Sequence, residues 1–129
     1  MIARGRHAQA ALLSLSLTLG ACASAPAIMT GVPHAVPRVV IAPYESHEEC
    51  FPLAPGDRVD YQYDSSTALN FDIRYREGGN VLMPVVRGPS TSASGTYEPL
   101  LAHEYCVNWE AGPAGAIIRY RILVRPPIR

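Results

Sequence analysis

The chain has 129 residues, 48% hydrophobic and 17% charged, with 11 basic residues against 11 acidic ones and a formal net charge of zero. That length and balance fit one small compact domain, and the absence of a basic excess argues against nucleic acid as a partner. Beyond the N-terminal segment no apolar run is long enough to form a transmembrane helix.

Arg4 and Arg6 precede an apolar run over residues 10–19. The run is too short to span a bilayer and has the length of a secretory h-region. It ends in Leu19, Gly20, Ala21 and Cys22, a sequence that resembles the lipobox of bacterial lipoprotein precursors. The resemblance implies a signal peptide over residues 1–21 and an N-terminal Cys22 carrying several acyl chains, palmitate among them. Each buried methylene contributes about 0.8 kcal/mol, so more than one chain gives stable anchoring. The implied address is the bacterial cell envelope. Ala23 in place of an aspartate after the cysteine favours the outer membrane, facing the periplasm. Processing removes Arg4 and Arg6 from the 11 basic residues, leaving 9 against 11 acidic ones, a net charge of −2.

Residues 22–37 are rich in Ala and Pro and lack helical or alternating periodicity. They read as an extended tether, with Met29 and His34 as spacer residues. The folded body is expected over residues 38–129. Period-two alternation places Val59, Tyr61 and Tyr63 on one strand face, against Arg58, Asp60, Gln62 and Asp64 on the other. The pattern returns in Leu69, Phe71, Ile73 and Tyr75 against Asn70, Asp72, Arg74 and Arg76. It appears again in Ile118, Tyr120, Ile122 and Val124 against Arg119 and Arg121. Such segments are half-buried strands. Turn signals recur at Pro55-Gly56, Asp64-Ser65-Ser66, Gly78-Gly79-Asn80, Gly88-Pro89, Glu98-Pro99 and Gly112-Pro113. This cadence predicts an all-β fold, an antiparallel β-sandwich of about seven to eight strands with almost no helix.

In an exported chain Cys50 and Cys106 are expected to form a disulfide. Glu49-Cys50-Phe51, Gly56-Asp57, residues 69–75, Pro84, Gly95-Thr96-Tyr97 and Tyr105-Cys106-Val107-Asn108-Trp109 are similar in order and spacing to GOLD-like β-sandwich domains. That resemblance covers about residues 46–124. It implies a disulfide-stapled sandwich that binds protein or lipid and has no catalytic centre. Glu110 departs from the pattern, which commonly has an asparagine after the aromatic residue.

Residues 89–97 with Trp109 also resemble the Ser-Gly-x-x-Tyr element of membrane-bound C-type lysozyme inhibitors, here Ser94, Gly95 and Tyr97. The implied mechanism is a loop that plugs the lysozyme cleft. In this chain Tyr97 stands one residue closer to the glycine, and no lysine is present. Ser90 to Gly95 reads otherwise as a polar hairpin loop.

No Ser-His-Asp elbow, phosphate loop or carboxylate pair is recognisable, so no enzyme activity and no cofactor are expected. His47 and His103 both stand in a His-Glu-x-Cys repeat. Reduced cysteines would complete a Cys2His2 metal site, whereas a cystine leaves the two histidines at opposite ends of an antiparallel pair. Alternation puts Tyr105, Val107 and Trp109 on one face and Cys106 and Asn108 on the other, leaving Trp109 as either core or binding surface. Ser94, Gly95, Tyr97, Tyr105 and Trp109 are the candidate binding surface. The expected role is a non-catalytic binding or structural module of the envelope, with the membrane as one partner and an envelope protein as another.

Cys22→Ser is expected to abolish lipid incorporation, because a hydroxyl does not replace the thiol in acyl transfer. Metabolic labelling with radioactive fatty acid measures it, and undiminished label would remove the lipoprotein assignment.

Overall fold

The computed structural model describes residues 27–128, so the expected signal peptide and lipobox, with Cys22, lie outside the described residues. Six strands make up the domain: β1 (His34–Ile41), β2 (Ser46–Leu53), β3 (Arg58–Glu77), β4 (Asn80–Tyr97), β5 (His103–Ala111) and β6 (Ala116–Arg125). No helix occurs among the described residues. All pairings are antiparallel, in the order β1-β6-β3-β5-β2, with β4 along the other edge of β3. The all-β, antiparallel, disulfide-stapled fold is the expected one, with six strands in place of seven to eight.

The lower count has a local cause. Two of the six turn signals, Asp64-Ser65-Ser66 and Gly88-Pro89, do not end strands but lie inside β3 and β4. Over residues 58–65 β3 pairs with β6, and over residues 69–75 it pairs with β5. Between these stretches the β3–β4 ladder shifts register, and the strand bends there, as bulged strands do where they pass from one packed sheet to another. Side chains satisfy the backbone at the bend. Ser65 Oγ donates to the Thr67 carbonyl, Ser66 Oγ accepts from the Ile117 amide at 2.9 Å, and Thr67 Oγ1 donates to the Gly115 carbonyl.

The other chain crossings cluster at the same corner. The β5–β6 link runs through Gly115, which has a φ of +66° and whose added Cβ would lie 2.7 Å from the Ile41 carbonyl oxygen. The β1–β2 link carries Tyr44 at a φ of 61°, and its amide donates to the Gly112 carbonyl at 3.2 Å. One half-sheet (β1, β6 and the first part of β3) thus folds over the other (β2, β5 and the second part of β3). The two faces meet in an aromatic core. Trp109 is fully buried, with its ring 4.3 Å from that of Tyr120 and 5.6 Å from Phe71, and Tyr63 and Phe71 lie 5.0 Å apart.

Of the expected inward residues Val59, Tyr61, Tyr63, Leu69, Phe71, Ile73, Ile118, Tyr120, Ile122 and Val124 are buried, and Tyr75 is partly buried against the core. Prolines inside strands fall only on edges, Pro37 in β1, Pro52 in β2, and Pro84 and Pro89 in β4. There a missing N–H costs no ladder bond, and the interruption discourages edge-to-edge pairing. One boundary is corrected. His34, expected in the tether, is the first residue of β1 and pairs with Ile122, so the folded body begins four residues earlier than the alternation indicated. Proline-rich composition masked this strand. A register shift between Val36 and Val39, at Pro37 and Arg38, breaks its alternation.

Cys50 and Cys106 are directly paired residues of β2 and β5 and are joined by a disulfide. The bridge lies on the outer face, opposite Trp109, which settles the tryptophan as core. A loop of 56 residues closed in this way stabilises the fold by about 4 kcal/mol in the chain-entropy account. Beside the bridge, Arg74 is not the freely solvated residue its outward parity implies. Its Nε and Nη2 donate to the two Asp72 oxygens at 2.6 Å each, and Asn108 Nδ2 donates to the same carboxylate at 3.2 Å. Asp72 and Asn108 are themselves buried on this outer face.

Three substitutions test the register. Ile73→Asp should cost about 4 kcal/mol or more, through an unpaired carboxylate in the core. Arg74→Glu should cost roughly 1.5–3 kcal/mol by leaving buried Asp72 without its charged donor. Arg121→Glu, on an exposed outward position, should stay within about 0.5 kcal/mol. Thermal melts rank the three, and equal stability would contradict the faces assigned here.

Candidate functional site

Strand parity runs through β2 as it does elsewhere. Phe51 and Leu53 point inward and are buried, so His47 and Glu49, four and two residues before Phe51, point inward too. Polar side chains therefore stand on the core face of an edge strand. Across from them is β1, the edge of the other half-sheet, with His34, Val36 and Val39 directed inward. Between the two edges lies a cleft of about 540 Å³, walled by Val36, Val39, His34, His47, Glu49 and Tyr120 and, on its outer side, by Met29, Val32 and Pro33.

The polar groups in the cleft form two bonded pairs. His34 Nε2 lies 2.9 Å from Glu49 Oε1, and His47 Nε2 lies 2.8 Å from the Tyr120 hydroxyl. The His47 ring stacks on Trp109 at a centroid distance of 5.8 Å. Glu49 Oε2 and Trp109 Nε1 are buried and have no protein hydrogen-bond partner. Burial lowers the pKa of His47, against an opposing pull from the Glu49 carboxylate. Tyr120 is pushed well above the usual phenol range by burial first and by the neighbouring Glu49 second. The imidazole tautomer sets which of His47 Nε2 and the Tyr120 hydroxyl donates in their 2.8 Å bond.

The residues singled out from sequence fall elsewhere. Tyr105 and Trp109 are core side chains, exposed to 1% and 0%, and so form no binding surface. Their alternation with Val107 and Ala111 on a central strand buries them between the half-sheets. Ser94 and Gly95 do not lie in a hairpin loop: they are strand residues of β4, paired with Gln62 and Tyr61. Tyr61 lies over Gly95, where an added Cβ would meet the phenol oxygen at 2.5 Å, and that oxygen accepts from Arg87 at 3.1 Å. The plug that the lysozyme-inhibitor resemblance implies therefore has no protruding loop at these residues. Tyr97 is half-buried against Tyr105, and its phenol is raised chiefly by burial.

His47 and His103 are not brought together. His47 pairs with Trp109 and His103 with Leu53, at the two ends of the β2–β5 ladder, and His103 stacks instead on Tyr75 at 4.9 Å. Among the described residues the one cluster with metal-ligand spacing is Glu48 with Cys50 and Cys106. A cystine has no thiolates to contribute, so this cluster amounts to a single carboxylate. The cleft residues His34, Glu49 and Tyr120 were absent from the sequence-derived site. Their signal was the apolar parity of Phe51 and Leu53, which continues into Glu49 and His47. No protein-family model matches this chain, and no curated protein matches it.

His47 sets a pH dependence. Its folded pKa lies below the unfolded value of about 6.5, so between the two the unfolded chain binds more protons and stability rises with pH. The stabilisation is present above about pH 6.5 and is lost as pH falls through the lower folded value. Calorimetric Tm should therefore drop between pH 7 and pH 5, and His47→Gln should flatten that slope. Asp60, where burial is the largest single effect and raises the pKa but the Thr96 and Arg125 hydrogen bonds and the Arg125 and Arg58 charges together outweigh it and lower the pKa, acts in a separate window below about pH 4.

Proposed function

We propose that this protein is a lipid-anchored, non-catalytic binding module of the bacterial envelope that takes a small ligand between β1 and β2. The observation that carries the reading is the cleft itself. A volume of about 540 Å³ with mostly apolar walls and four convergent polar side chains has the size and composition of small-molecule sites. Polar groups on the core face of an edge strand cost desolvation energy that a purely structural strand would avoid. Binding is favoured over catalysis by the partners present. No serine, threonine or cysteine stands among the described residues lining the cleft, so neither histidine has such a nucleophile beside it to activate.

The anchor is compatible with this position. Ala27, Met29, Val32 and Pro33 line the cleft, and five residue steps from Cys22 to Ala27 span at most about 18 Å. A ligand in the cleft would be held close to the membrane surface. The outer membrane facing the periplasm is the proposed location, by the lipobox resemblance and Ala23.

A chemically mixed fragment library, screened by NMR against the processed protein in detergent, tests the reading. Hits should shift the amide signals of Val36, Val39, His47, Glu49 and Tyr120 together. Hits scattered over the surface, or none, would overturn it.

A further inference from the structure

We infer that the cleft recognises a small organic cation, an aliphatic ammonium on a short apolar chain, and binds it through the Glu49 carboxylate. This rests on the binding-module reading and adds the chemical class of the ligand. Of the side chains lining the cleft, Glu49 is the sole acid, and no arginine lines it. One carboxylate oxygen is held by His34, while Oε2 is buried without a donor. An unpaired carboxylate oxygen in such surroundings costs free energy that a ligand donor would recover. An anionic ligand would meet Glu49 with like charge, and a neutral apolar one would leave Oε2 unpaired.

An ammonium group suits the rest of the geometry. It carries three donors and no acceptor, enough to take both Glu49 oxygens once the His34 ring, held by one hydrogen bond, rotates aside. Val36, Val39, Met29 and Val32 supply the apolar surface for the attached chain. A metal ion fits less well. His34, His47 and Glu49 are not among the described groups whose three donor atoms lie within 4.8 Å of one another, and the bonded pairs hold the two imidazoles on different partners.

The experiment compares n-hexylammonium, n-hexanoate and n-hexanol by titration calorimetry at pH 7.5. It uses the processed protein in detergent and its Glu49→Gln variant, with Tm measured for both. Hexylammonium should bind the wild type about 10- to 100-fold more tightly than hexanol, the effect of one charged hydrogen bond. Glu49→Gln should erase that preference. If the variant does not fold, wild-type NMR decides: hexylammonium should move the Glu49 and His34 side-chain signals, and hexanoate should not. Hexanol or hexanoate binding as tightly as hexylammonium would overturn the inference. So would stoichiometric Zn²⁺ binding that shifts both His34 and His47. Fragment hits in the cleft without an ammonium preference would remove the cation and leave the binding module. No binding by any ligand, with a blank fragment screen, would remove both.

Discussion

The bend in β3 is the constraint on which the rest of the structure depends. A 20-residue strand that stayed straight would give one extended sheet with a long exposed apolar face, a poor solution for a chain of this size. By turning at residues 66–68, β3 gives its first half to β6 and its second half to β5. The inward side chains on either side of the bend, Tyr63 and Phe71, then meet at 5.0 Å. The apolar face of a single sheet closes on itself, and Trp109 and Tyr120 fill the gap. Serine and threonine at the bend are not incidental, because their hydroxyls take over backbone hydrogen bonds that the interrupted ladder gives up.

This closure leaves the two outermost strands, β1 and β2, facing each other rather than hydrogen-bonded to each other. An inward position there borders a cleft and not a sealed core, which explains how His47 and Glu49 are accommodated in phase with Phe51 and Leu53. The disulfide acts on the same strand. β2 has β5 as its single ladder partner, and the bridge from Cys50 ties it there one residue after Glu49. Outside and inside are thus coupled: the outer face pins the strand, and the inner face carries the charged group. The outer face has its own buried polar network, where Asp72 is shared by Arg74 and Asn108. Partners satisfy that carboxylate, whereas Glu49 keeps one oxygen unpaired. This contrast separates a structural acid from a candidate binding one.

Period-two alternation was enough to assign the all-β class and the faces of β3 and β6, because the inward side chains on either side of the bend are apolar and most outward ones are polar, Ile117 and Leu123 in β6 being exceptions. The cystine pair was legible for a similar reason, since chemistry and compartment bear on it more than geometry does. Strand number was misread because Asp64-Ser65-Ser66 and Gly88-Pro89 have turn composition, and composition does not distinguish a chain reversal from a corner within a continuing strand. Ser94 and Gly95 looked like a loop for the same reason, although β3 holds them as an edge strand.

What the sequence determined by itself is local: which residues alternate, where the backbone can turn tightly, and which two cysteines stand in the strand-rich body. What only the tertiary structure decided is non-local. His34 and Glu49 are 15 residues apart and His47 and Tyr120 are 73 apart, so no pattern along the chain joins them. Their meeting depends on how the half-sheets fold over one another and which edges that leaves face to face. Burial of Tyr105 and Trp109 was decided in the same way. An aromatic residue on a strand reads identically whether a second half-sheet covers it or solvent does, and only the bend in β3 supplies the cover.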